Sequence, residues 1–80
     1  MPERKQITLR QMQLGQKGIV FQIQGGYGLI NRLNALGIRP GQKITKTGST
    51  LMRGPVTIKV GSAQVAIGFG MADKIIVELV

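Results

Sequence analysis

The sequence predicts a mainly β protein, a small and partly open barrel of five short strands with one short helix at about residues 28–36. Three observations predict it. Ten isoleucines and six valines against four alanines favour strands over helices. Twelve glycines imply many tight corners. Apolar residues alternate with polar ones along much of the chain and take helical spacing in one place only.

Ile7-Thr8-Leu9 reads as a short leading strand, followed by a turn that carries Met12 and Leu14. From Ile19 the alternation places Ile19, Phe21 and Ile23 on the inner side and Gln22 and Gln24 on the outer. Between Leu29 and Leu36 the apolar residues fall at 29, 30, 33 and 36, one face of a helix, while Asn31 and Arg32 fall on the wet side. Gly37 then stands where a helix ends in the left-handed conformation, with Ile38 placed to touch Leu33. Arg39-Pro40-Gly41-Gln42 has the residues of a type II turn. A helix this short is unstable alone and must be held by the sheet.

Gln42 to Thr47 reads as a further strand with Ile44 inward and Lys43 and Thr45 outward. Residues 48–54 form the longest stretch without a pattern, and it places Leu51 and Met52 side by side, followed by Arg53. Such a pair either folds over an open barrel end or offers a small apolar contact to a partner. Pro55 to Val60 and Ala63 to Ile67 alternate on either side of Gly61-Ser62, a two-residue hairpin loop. Residues 68–73 read as an irregular or single 3₁₀ turn with Phe69 buried. Lys74 to Val80 is the last strand, with Ile75, Val77 and Leu79 in register. Strands with one inward face each can curl into a barrel that limits exposed edges.

Eighty residues make one domain, residues 1–80, with residues 1–6 expected to fray. No cysteine and no histidine means no disulfide, no thiolate zinc site and no histidine catalysis. Three carboxylates, Glu3, Asp73 and Glu78, give no pair for acid–base work, so no enzymatic activity is expected. Gly25-Gly26-Tyr27-Gly28 lies ahead of a helix but lacks the lysine and the Ser or Thr of a phosphate loop. No stretch is apolar enough to span a bilayer. Eleven basic residues against three acidic ones give a net charge of +8, which suits an anionic partner or simply solubility. Nucleic acid is the competing partner class, as in a basic nucleic-acid-binding small β-barrel. It is disfavoured because only Phe21, Tyr27 and Phe69 could stack bases.

Arg32-Leu33-Asn34-Ala35-Leu36-Gly37-Ile38-Arg39-Pro40-Gly41 resembles the Arg-Leu-x-x-Leu-Gly-Ile-x-Pro-Gly signature of the ferrous iron transport protein A (FeoA) family. Gly25-Gly26, Leu9 through Gly15, Gly18-Ile19-Val20, Gly54-Pro55, and Ala72 with Ile75 and Val77 extend the resemblance over about residues 7 to 79. Two departures, Ser49-Thr50 where many members have a proline and Gly68 where a basic residue is common, concern loops. The resemblance implies an SH3-like barrel, a fold also seen as the C-terminal domain of diphtheria-toxin-repressor-type regulators. No winged helix precedes the barrel here, so DNA recognition by that route is not expected.

The resemblance further implies a cytoplasmic accessory, peripheral to the inner membrane, that binds the membrane ferrous iron permease FeoB and regulates it. The expected contacts are Leu51, Met52 and Arg53, with Asn31 and Arg32 as the alternative, and the basic surface is drawn to an anionic membrane. Self-association is compatible with the sequence. The family is also described as binding transition metals, but without His, Cys or a methionine cluster no cofactor is expected beyond weak ferrous iron binding.

Overall fold

The computed structural model describes residues 5–49 and 54–80. Leu51, Met52 and Arg53 lie outside the described residues. Six strands form one antiparallel sheet: β1 (Gln6–Thr8), β2 (Lys17–Ile23), β3 (Lys43–Ser49), β4 (Val56–Val60), β5 (Ala63–Ile67) and β6 (Ile75–Leu79), in the order β1-β6-β2-β3-β4-β5. The six strands correspond to the six segments read as strands in the sequence, one more than the five expected for the barrel, and the leading one pairs Gln6 with Glu78 and Thr8 with Ile76. The Leu79 amide also donates to the Lys5 carbonyl at 2.9 Å, which carries the β1–β6 hydrogen bonding one residue before Gln6.

The helix, α1 (Tyr27–Ala35), stops as its sequence requires. Gly37 has φ +90°, a conformation that costs any residue with a Cβ about 1–2 kcal/mol. The Ile38 amide donates to the Leu33 carbonyl at 2.9 Å and the Gly37 amide to that of Asn34 at 3.0 Å, the paired bonds of a Schellman cap. Leu33 and Ile38 are both fully buried, which completes the cap's hydrophobic contact. In the following turn Gly41 has φ +93° and the Gln42 amide donates to the Arg39 carbonyl, as a type II turn demands. Leu36, expected on the dry face, is exposed, because it forms the C-cap where the chain leaves the helix.

Beneath α1 lies one core, with Leu9, Val20, Leu33, Ile38, Ile44, Ile58, Ile67, Ile75 and Val77 packed together. Its membership corrects the expected inner face of β2. A register shift against β6 falls between Val20 and Gln22, so Val20 and Ile23 point inward and Phe21 is 46% exposed. An extra residue in one strand turns the side chains beyond it to the other face. A second shift, between Lys46 and Gly48, bends β3, which runs on to Ser49 instead of ending at Thr47.

Two short turns close the barrel. A 3₁₀ turn at Leu9–Gln11 is held by a capping box, with Thr8 Oγ1 accepting from the Gln11 amide and Gln11 Oε1 from the Thr8 amide. Where an irregular or 3₁₀ turn was expected, α2 (Phe69–Ala72) is a single α-turn. Ala72 is buried, whereas Phe69 is only partly so, with the Arg10 guanidinium 5.2 Å from its ring centre.

Candidate partner-binding surfaces

Of the residues expected to meet a partner, Asn31 and Arg32 are both exposed on α1. The helix begins at an extended Gly26 with no side-chain cap, and its first residue, Tyr27, is 86% exposed. Arg32 stands in the last turn, where a cation also meets the negative end of the helix dipole favourably. Leu51, Met52 and Arg53 occupy the segment between β3 and β4 outside the described residues, so the geometry joins only Asn31 and Arg32.

One charged residue was missed by reading outward positions alone. Lys46 is 4% exposed, and its Nζ donates to the carbonyls of Arg10, at 3.1 Å, and Met12. Burial, and secondarily the Arg10 charge, lower its pKa from the ordinary lysine value. The signal was present in the strand period, since Lys46 stands two residues from the inward Ile44 and so shares its face.

The remaining charge is unevenly placed. Lys17, Lys43 and Lys59 come together on the outer face of β2, β3 and β4, where they line a cleft of about 420 Å³ with Gln42, Thr45 and Gly61. Asp73 is engaged elsewhere, accepting from Arg10 Nε at 3.1 Å. Among the described residues no three of His, Cys, Asp and Glu come together as metal ligands. No helix among them is long and apolar enough to cross a membrane.

A six-stranded antiparallel sheet curled over one core, with a short helix between its second and third strands, defines a small SH3-like barrel. The FeoA domain model matches residues 7–79. The chain is 39% identical over 64 residues to a protein of Methanocaldococcus jannaschii described as Fe(2+) transport protein A, a match covering 80% of this chain and 76% of that one. A crystal structure of an iron uptake regulatory protein, FeoA, superposes with TM-score 0.86 at 36% identity, covering 95% of this chain and 99% of the other. A manganese-dependent transcriptional repressor superposes with TM-score 0.88 at 20% identity over 100% of this chain and 45% of its own, a likeness of fold. The chain belongs to the FeoA domain family.

Proposed function

We propose that this protein acts in ferrous iron uptake as an accessory that binds the cytoplasmic side of the membrane permease FeoB and regulates it. The observation that carries this reading is the family match over residues 7–79, which includes the whole of α1, its cap and the turn after it. Two features support a binding role over a catalytic one. Among the described residues the two carboxylates stand apart, with Asp73 paired to Arg10 and Glu78 within β6. The exposed residues of α1, by contrast, sit on a rigid element whose far end is locked by the Schellman cap.

The contact expected is the segment carrying Leu51, Met52 and Arg53, and the alternative is the wet face of α1 with Asn31 and Arg32. Basic side chains elsewhere hold the barrel near an anionic inner leaflet, each adding about 1 kcal/mol when close to it. Binding of purified permease in detergent by the wild-type chain, by Leu51→Asp with Met52→Asp, and by Arg32→Ala tests this. The double variant is expected to lose binding while its circular dichroism and melting remain those of the wild type. Retained binding in both variants removes these surfaces from the proposal.

A further inference from the structure

We propose that the cleft between Lys17, Lys43 and Lys59 is a binding site for a small soluble oligophosphate, a compound with two or three linked phosphate groups. It is independent of the permease contact, since it shares no residue with it.

The site is made by strand register. Thr45 on β3 pairs with Lys17 on one side and with Lys59 on the other, so these three residues form one row across the outer face. Lys43 stands two residues from Thr45 on the same face, opposite Ile19. Strands about 4.8 Å apart place the Cα atoms of Lys17 and Lys59 roughly 10 Å from each other, and Lys43 about 7 Å from Thr45. Long, flexible lysine stems can therefore bring three ammonium groups over one hydroxyl.

Three like charges within about one Debye length repel without full screening. Glu78 shares this face and offsets only part of that charge. The acidic residue closest in register, Glu78, faces Ile19 from β6, which leaves the width of β2 between it and Lys43. It makes no described ion pair with Lys43 or with its diagonal neighbour Lys17. An anion with several charges in a small volume relieves that repulsion.

The lining selects among anions. The cleft is shallow and open, and its volume of about 420 Å³ is enough for a small anion. None of its lining residues is aromatic, so it offers no platform for bases and reads phosphate alone. Lysine is a compact point charge well matched to phosphate oxygens, and Thr45 supplies a hydroxyl donor in the middle of the row.

Tripolyphosphate is the probe, titrated into the ¹⁵N-labelled full chain at about 0.15 M salt, where non-specific charge effects are screened. Saturable one-to-one binding is expected, with shifts centred on the amides of Lys17, Lys43, Thr45, Lys59 and Gly61. Lys17→Gln with Lys59→Gln should weaken it about tenfold or more, the loss of two charge-assisted contacts. Lys5→Gln with Lys74→Gln removes the same net charge elsewhere and should change affinity by less than about threefold. Equal weakening in both pairs, or shifts spread over all the lysines, overturns the proposal. So does binding to phosphatidylglycerol vesicles that depends on Lys17 and Lys59 while tripolyphosphate fails to saturate, because the cleft then serves a lipid surface.

Discussion

The Lys46 ammonium crosses from β3 to donate to the Met12 carbonyl, 34 positions earlier in the chain, and in doing so ties the sheet to the turn that closes one end of the barrel. The same Nζ reaches the Arg10 carbonyl, and Arg10 in turn lies over Phe69 and against Asp73. A single buried cation thereby links β3, the 3₁₀ turn and α2.

Replacing Lys46 by Met tests that link. The apolar stem is kept, but the carbonyls of Arg10 and Met12 lose their donor, which should cost about 1–3 kcal/mol. The pH dependence separates the charge from the bonds. Because the folded pKa of Lys46 is lowered, the unfolded chain holds more protons between that value and the ordinary lysine value, so stability rises with pH across this window. Denaturant unfolding at mildly and strongly alkaline pH should show that rise in the wild type and a smaller one in Lys46→Met. An equal rise in both means that Lys46 is not the group responsible.

The ion pair between Arg10 and Asp73 makes a contrasting case. Both side chains are about half exposed, 43% and 51%, and an exposed pair contributes little. Asp73→Asn should lower stability by less than about 1 kcal/mol, well short of the Lys46 effect, when both are measured by the same denaturant series.

Two glycines should respond in opposite directions. Gly37→Ala puts a Cβ on a φ of +90° and 3.4 Å from Val60 Cγ1, and should destabilise by about 1–2 kcal/mol. Gly28 lies within α1 with nothing within 4 Å of an added Cβ, so Gly28→Ala should stabilise by up to about 1 kcal/mol. Thermal melting of the two variants checks the sign of each.

Much of this arrangement was legible in the residues. Gly37, Ile38 and Pro40-Gly41 dictate local conformation, so the cap and turn could be placed before any fold was known. The β4–β5 hairpin was equally plain, since two alternating runs flank Gly61-Ser62 and pair from Val60 with Ala63 onward. Ile19 and Phe21 were misplaced while Ile23 was not, because the bulge between Val20 and Gln22 inserts one residue without a sequence mark, and a single period-two phase cannot fit the strand on both sides of it. Leu51, Met52 and Arg53 stand out only as an apolar pair and a cation in a stretch without a pattern, and they lie outside the described residues. The lysine cleft was hidden for another reason: Lys17, Lys43 and Lys59 are far apart in sequence and meet only through the pairing of β2, β3 and β4.

The most direct test of the transport reading is a pull-down of the tagged protein from detergent-solubilised membranes, at moderate and high salt, with and without nuclease. Phosphate-dominated binding falls steeply as salt rises, whereas a contact with an apolar centre persists. Recovery of the iron permease at both salts and after nuclease treatment is the result expected of a permease accessory. Recovery of nucleic acid alone, lost at high salt, would contradict that function for this chain.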